Sequence, residues 1–210
     1  NRALQLGRAF FNFALKTQLI RGDNPFVGVT LNKEIPRERF LSHEEGVRLL
    51  AAVTNPDIPE NHCTERSLAD FILLLMSLGV RKSNLLCMRW DEIDTETWVW
   101  SIPAENMKNG RAKPIRFSTS EAALLGRRKA ILTEAGFDSP WVFPSSTSAT
   151  GHTVDFKKAW DSLRKQLELP DLTLHDLRRS LASSMINSGV DASIVQRALS
   201  HADPRTTAKH

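Results

Sequence analysis

HDLRRSLASSMINSGVDASIVQRALSHADPRTT, residues 175–207, is the stretch that decides the fold. On a helix, positions three apart share a face, so His175 and Arg178 point the same way. Leu174, Leu177 and Leu181 anchor the other side. An arginine forks onto two oxygens of an anion such as phosphate, and a histidine adds a donor or moves a proton. Taken alone, such a pair is more typical of a solvated helix surface.

Distant parts of the chain add further cations. Arg81 stands just past Gly79 at a predicted helix–helix junction. Lys108 lies beside a predicted hairpin turn, and His201 lies at the end of a predicted helix. Phosphoryl transfer without a metal needs fixed cations around the developing charge and a proton donor for the leaving oxygen. We therefore expect one set of residues to converge on one face: Arg81, Lys108, His175, Arg178 and His201.

Length and composition exclude several classes of protein. The chain has 210 residues, and 28 Lys+Arg against 24 Asp+Glu give a formal charge of +4. The 41% of apolar residues and 25% of charged residues exclude a disordered chain. No apolar run reaches about 18 residues, so we expect no membrane span. Cys63 and Cys87 lack a metal-ligand spacing, which favours a reducing, cytoplasmic compartment.

Basic residues cluster although the net charge is small. They gather at 107–116, 127–129, 157–165 and Arg178–Arg179. A folded chain could present them as one positive face, as nucleic-acid-binding proteins do. Scattered solvated charge explains the same composition equally well.

The periodicity predicts helices interrupted by one small sheet. Apolar residues recur with helical spacing in residues 1–21, and Ser42-His43-Glu44-Glu45 is a capping box. Residues 97–118 change to the period of strands, with Asn109-Gly110 as a hairpin turn signal. The same periodicity predicts helices at about 81–89, 153–168 and 175–188, and Asp203-Pro204 predicts the start of a last helix. The predicted fold class is mostly α with a small antiparallel β-sheet (α+β).

Four stretches resemble the tyrosine recombinases of the phage-integrase family. Residues 175–207 are similar to the C-terminal signature of the family's catalytic domain, and LGVRKSNLLCMRWDEID (78–94) is similar to its first arginine motif. MKNGRAKPIRFS (107–118) is similar to the β-hairpin lysine motif, and FFNFALKTQLIRGDNPF (10–26) resembles the last helix of the core-binding domain. The resemblance implies a tyrosine-recombinase catalytic-domain fold. It also implies three regions: 1–24 as the terminal helix of an otherwise missing core-binding domain, 25–40 as a linker, and 41–210 as a catalytic domain with an incomplete C-terminal segment.

The resemblance also implies a function and roles for individual residues. The family cuts and rejoins DNA at specific sites through a 3′-phosphotyrosine link, with no metal and no nucleotide cofactor. Arg81 and Arg178 would clamp the scissile phosphate, and His175 would serve in acid–base work. Lys108 would protonate the leaving 5′ oxygen, and His201 would donate to a non-bridging oxygen. The expected partners are double-stranded DNA and three further copies in a synaptic tetramer, with a monomer as the alternative state of the chain alone. No membrane is expected, and the system is bacterial or phage-encoded. The candidate DNA-binding residues are Lys82, Arg111, Lys113 and Arg179.

The sequence departs from the family pattern at two points. Asn84 stands three residues after Arg81, where the family commonly has glutamate. The chain contains no tyrosine, so the family's nucleophile is absent from these residues. It is expected at or just after His210. Either a tyrosine follows His210, which we favour, or His210 replaces it, and the 210 residues alone should form no covalent adduct with DNA.

Two alternative functions stay open: a DNA-binding module without catalysis and a metal-dependent nuclease. Residues 178–209 read as helix, turn, helix and a further basic helix, so a helix-turn-helix DNA-binding module without catalysis is the alternative function. Asp91, Glu92 and Asp94 could serve a metal-dependent nuclease, although acidic residues at a turn are usually solvated. A zinc site at His62 and Cys63 lacks further ligands nearby, so we predict no metal.

Overall fold

The computed structural model describes residues 1–33, 39–59, 61, 63–107 and 109–199, apart from the side chains of 196–198. The chain forms two compact units, Asn1–Glu38 and Arg39–His210. Within the described residues no helix is both long and apolar enough to cross a bilayer.

The first unit is built on helix α1 (Arg2–Lys16). The chain turns at residues 25–28 and returns along the helix. Asn24 Nδ2 donates to the carbonyl of Arg8 at 3.1 Å, and the ring of Phe26 packs edge-on against Phe11 at 5.4 Å. Phe10 and Phe13 remain about 60% exposed. The structure confirms the first three quarters of the helix predicted at 1–21. The helix ends before Gln18 because this residue takes a positive φ.

The second unit is organised around a helix that is buried along most of its length. This helix, α3 (Thr64–Leu78), follows α2 (His43–Val53), whose predicted Ser42–Glu45 capping box is present. Phe71 of α3 is fully buried and packs its ring on Phe143 at 5.6 Å. The remaining helices of the described chain are α4 (Lys82–Leu86), α5 (Thr119–Glu134), α6 (Lys157–Gln166), α7 (Leu174–Asn187) and α8 (Ala192–Leu199).

A buried ion-pair network ties α3 to α5. The Asp70 carboxylate, with 0% exposure, accepts from Arg127 at 2.6 Å and from Arg128 at 3.2 Å. Arg128 also donates to the carbonyl of Val142 at 2.6 Å. The two arginines therefore compensate the buried charge of Asp70.

The sheet is small, antiparallel and ordered β1-β2-β3, with β1 at Ile93–Asp94, β2 at Val99–Ile102 and β3 at Lys113–Arg116. The predicted strand pair is confirmed, and its register places Ile102 opposite Lys113. The β2–β3 connection is wider than the predicted Asn109-Gly110 turn, since a 3₁₀ turn at Ala104–Asn106 lies within it.

Two helices are shorter in the structure than the sequence predicts. The helix predicted at 81–89 is shorter, because α4 ends at Leu86 and a 3₁₀ turn follows at Trp90–Glu92. The helix predicted at 153–168 begins only at Lys157, since Phe156 is buried in the core as its N-cap. The helix predicted from Asp203 lies outside the described residues.

Candidate phosphate-binding site

Arg81 is carried by the tight corner between α3 and α4. Gly79 ends α3 in the left-handed conformation with φ 57°, and Arg81 is the N-cap of α4. A Cβ atom on Gly79 would lie 2.3 Å from Leu199 Cδ2 and 2.7 Å from Leu181 Cδ2. The corner therefore packs directly on α7 and on the end of α8, which brings Arg81 beside α7.

His175 and Arg178 lie in the first turns of α7, as their spacing predicts. The helix begins with a capping box in which the backbone N–H of Thr173 donates to Asp176 Oδ2 at 2.9 Å. The Thr173 hydroxyl donates to the same oxygen at 2.7 Å. These bonds fix the carboxylate of the buried Asp176 at the N-terminus of α7. The His175 side chain is exposed, whereas Arg178 is 96% buried and donates to the carbonyl of Leu199.

The charged groups of the site lower one another's pKa values, which indicates that they lie close together. Burial and the neighbouring Arg81 lower the pKa of Arg178 to about 10. Partial burial, Arg178 and Arg81 also lower the pKa of Lys113, to about 8. The pKa of His175 is lowered by partial desolvation and then by Arg178 and Arg179; Asp176 opposes this, and Arg81 adds a smaller lowering effect. We call Arg81, Lys113, His175 and Arg178 the cation cluster.

The strand alternation explains why Lys113 joins the cluster. In β3, Lys113 and Ile115 are partly buried on one face, while Pro114 and Arg116 are exposed on the other. Ile115 packs on the hydrophobic core, and Arg116 donates to the carbonyl of Thr97 at 3.3 Å. Lys113 therefore points inward, towards the body of the domain.

A buried contact holds the β2–β3 connection on α4. Met107, 7% exposed, receives Asn84 Nδ2 on its sulfur at 3.6 Å. Asn84 is itself buried and lies one helical turn after Arg81. The residue that departs from the family pattern thus connects the first arginine motif to the hairpin that carries the lysines.

The structure brings together three of the five predicted catalytic residues: Arg81, His175 and Arg178. Lys108 and His201, like His210, lie outside the described residues. Of the candidate DNA-binding residues, Lys82 and Arg111 are exposed, Arg179 stacks over Phe40 at 5.8 Å, and Lys113 belongs to the cation cluster. Lys113, Ile115 and Phe117 are spaced two residues apart, so they share one face. This spacing is the sequence signal for the inward position of Lys113.

The acidic residues proposed for a metal site are engaged separately. Asp91 pairs with Arg89 at 2.7 Å, and Glu92 accepts from the indole N–H of Trp100 at 2.9 Å. Asp94 accepts from the backbone N–H of Glu96 in a turn. Among the described residues no three His, Cys, Asp or Glu side chains are placed to hold a metal. The carboxylates thus fix the fold around β1, and the cationic site lies elsewhere.

Cys63 and Cys87 also have structural surroundings. Cys63 is the N-cap of α3, and its sulfur accepts from the backbone N–H of Arg66 at 3.3 Å. Cys87 is partly buried, 3.7 Å from His152 Nε2, and burial followed by the charge of Glu92 raises the pKa of its thiol. A thiol with a raised pKa is a poor nucleophile and a poor metal ligand at neutral pH.

The cation cluster combines two guanidinium groups, an ammonium group and an imidazole on a partly desolvated surface. Arginine pairs match the geometry of phosphate oxygens, and low local polarity strengthens their hold on an anion. The site is therefore suited to a phosphodiester whose negative charge increases during reaction.

Comparison with known proteins defines the class to which this fold and site belong. The chain matches the family model for the phage integrase family over residues 39–210, and it belongs to that family. It is 29% identical to the tyrosine recombinase XerA of Pyrococcus furiosus over 220 residues, covering all of this chain and 70% of that protein. It is 28% identical to the tyrosine recombinase XerD of Caulobacter vibrioides over 207 residues, covering 95% of this chain and 66% of that protein.

The fold is shared with solved recombinase structures. The Tn1549 transposon integrase in complex with circular intermediate DNA superimposes with a TM-score of 0.72 at 17% identity. The match covers 100% of this chain and 73% of that chain. The predicted fold, mostly helical with one small antiparallel sheet, is confirmed.

Proposed function

We propose that the protein is a site-specific DNA recombinase that cuts and rejoins DNA through a 3′-phosphotyrosine intermediate. The observation that carries this proposal is the convergence of Arg81 and Arg178, about a hundred positions apart in sequence, within electrostatic reach of each other and of His175. Family membership and the DNA-bound Tn1549 integrase support double-stranded DNA as the partner.

Each described residue of the cluster has a distinct part in the proposed reaction. Arg81 and Arg178 clamp the non-bridging oxygens of the scissile phosphate and stabilise the charge that grows there. His175 is mainly neutral at pH 7, since its pKa is lowered from 6.5, so it can accept or donate a hydrogen bond during proton movement. Fixed cations take the role that a metal ion plays in other phosphoryl transfers, and we propose that none is required.

The remaining roles rest on the resemblance. Lys108 protonates the leaving 5′ oxygen, and His201 donates to a non-bridging oxygen. The attacking group must lie in line with the leaving oxygen, and the 210 residues contain no tyrosine to supply it. We propose that these residues bind DNA without forming a covalent adduct, and that the complete reaction takes place in a synaptic tetramer.

A covalent-capture experiment tests the proposal. Nicked duplexes with a randomised core are incubated with three proteins: residues 1–210, the same chain with its encoded continuation, and His210→Tyr. A nick beside the cut lets the short product diffuse away, so the protein–DNA link accumulates and is resolved on a denaturing gel. We expect an adduct from the extended chain and none from residues 1–210.

Two controls make the outcome decisive. Arg178→Ala in the extended chain should abolish the adduct, while Arg116→Ala, which removes a cation from the outer face of β3, should retain it. An adduct from residues 1–210 would overturn the assignment of the nucleophile. An adduct from His210→Tyr, with none from the extended chain, would show that His210 replaces the tyrosine.

The alternative, a DNA-binding module without catalysis, makes a different prediction for Arg81. Such a module would hold DNA mainly with α8 and the helix predicted from Asp203, and the α3–α4 corner would have no specific part. Arg81→Ala would then lower affinity only slightly and without regard to the position of a nick. If no form of the protein yields an adduct on any duplex that it binds tightly, this alternative replaces the recombinase.

A further inference from the structure

Lys113 differs from the other basic residues of the hairpin in its surroundings. Arg111 and Arg116 are exposed, whereas Lys113 is partly buried on the inner face of β3. The register of the sheet pairs it with Ile102, which is 1% exposed. Its ammonium group therefore lies over the domain body and not on the outer surface that general DNA contacts would use.

Two arginines face Lys113 from separate elements. Arg81 approaches from the α3–α4 corner and Arg178 from α7, and both are near enough to disfavour the charged form of the lysine. The Asn84–Met107 contact joins the start of the β2–β3 connection to α4, the helix whose N-cap is Arg81. Three cations thus share a partly desolvated site in which they repel one another.

An anion relieves this repulsion more than any other ligand. A phosphodiester or sulfate placed among three cations gains from each of them, and low local polarity increases the gain. A lysine on an outer surface would instead make a screened contact worth little.

We propose that Lys113 is a further catalytic residue of this site, which contacts the same phosphate as Arg81 and Arg178 and stabilises the negative charge that develops on it. The inference rests on the proposed function and deepens it, because the sequence assigned Lys113 only to general DNA binding.

The proposal has a consequence for the pH dependence of anion binding. In the free protein the pKa of Lys113 is about 8, and a bound anion raises it by stabilising the ammonium form. Binding is therefore strongest below pH 8 and weakens as the pH rises through that value, because a proton must then be taken up. Arg178, with a pKa of about 10, stays mainly charged through pH 9, and the lowered pKa of His175 leaves its ring neutral in this range, so Lys113 dominates the pH dependence.

Sulfate is a suitable probe, because it remains a dianion from pH 6 to pH 10 and needs no DNA sequence. Its binding to residues 1–210 is measured at pH 7, 8 and 9 by NMR titration of the His175 ring, at constant ionic strength. For the unsubstituted chain we expect the dissociation constant to rise about tenfold between pH 7 and pH 9.

Three variants separate the possible causes. Lys113→Arg keeps the charge at every pH, so binding should persist and its pH dependence should disappear. Lys113→Met should bind several-fold more weakly at pH 7 and show no dependence up to pH 9. Arg116→Met removes a charge from the opposite face of the same strand and should retain the pH dependence. Thermal melting checks that each variant is folded.

The outcomes distinguish this inference from the proposed function. If Arg81→Gln weakens sulfate binding but Lys113→Arg leaves the pH profile of the unsubstituted chain unchanged, Lys113 is not a ligand of the phosphate and the inference is wrong. If sulfate does not bind, or if Arg81→Gln leaves binding unchanged, the phosphate site of the proposed function fails as well. A lost pH dependence in Lys113→Arg, with Arg116→Met unchanged, supports both.

Discussion

The guanidinium group of Arg178 donates a hydrogen bond to the backbone carbonyl of Leu199, the last residue of α8. Arg178 therefore has two roles: it belongs to the cation cluster, and it joins the end of α8 to α7. His201 follows Leu199 by two residues in the sequence. The side chain that is proposed to hold the phosphate thus also holds the end of α8.

Replacing Arg178 with alanine should consequently affect stability as well as DNA cleavage. A hydrogen bond to a charged group contributes about 1.5–3 kcal/mol, and its loss leaves the carbonyl of Leu199 without this donor. We expect urea unfolding to show a loss of this size, and amide hydrogen exchange to increase first in α8. Arg179→Ala, at a less buried neighbouring position, should cost under about 1 kcal/mol. Equal losses for the two variants would contradict the double role of Arg178.

A side chain at Gly79 should destabilise the second unit. Alanine there would place Cβ 2.3 Å from Leu199 and 2.7 Å from Leu181, in addition to the strain of φ 57°. Overpacking costs about 1–3 kcal/mol, and the left-handed conformation adds roughly 1 kcal/mol. Gly136→Ala is a matched control, since Gly136 has φ 72° but open space around it. Thermal melting should show a clearly larger loss for Gly79→Ala, and similar losses would mean that α8 does not pack on this corner.

The buried Asp70 should be required for stability without any part in DNA cleavage. Asp70→Asn keeps the size of the side chain but removes the negative charge that compensates the buried guanidinium group of Arg128. Breaking a buried pair in this way costs about 3–5 kcal/mol. The exposed Arg89–Asp91 pair provides the comparison, and Asp91→Asn should cost under about 1 kcal/mol. Chemical denaturation measures both, and a loss below about 1 kcal/mol for Asp70→Asn would show that the network is dispensable.

Glu45 should make the stability of the second unit dependent on acid pH. Its side-chain hydrogen bond with Arg39 lowers its pKa from 4.5 to about 2, despite some burial. The stabilisation is complete above pH 4.5 and is lost as the pH falls towards 2, because protonation then breaks the ion pair. Glu45→Gln keeps an acceptor for the backbone N–H of Ser42 but removes the charge. Its unfolding free energy should depend less on pH between 5 and 2, and identical pH profiles would rule out this contribution.

Much of the fold follows from local sequence signals. The Ser42–Glu45 capping box, the strand pair and the helix starting at Leu174 were predicted because each depends on neighbouring residues. Strand β1 was not predicted, since two residues carry no period of their own and pair only because β2 offers its edge.

The candidate site was predictable where a motif fixes a spacing and unpredictable where tertiary contacts decide. His175 and Arg178 share a face because they lie three residues apart on α7. That Lys113 belongs with them depends on which face of β3 meets the core, and on the Asn84–Met107 contact that seats the hairpin. The roles of Lys108, His201 and His210 stay predictions.

A crystal structure of the protein bound to a short DNA duplex tests the central claim most directly. We predict that one phosphodiester group lies within hydrogen-bonding distance of the guanidinium groups of Arg81 and Arg178 and of the Lys113 ammonium group. DNA bound on another face, with no phosphate within reach of Arg178, would contradict the assignment of this site and the function proposed from it.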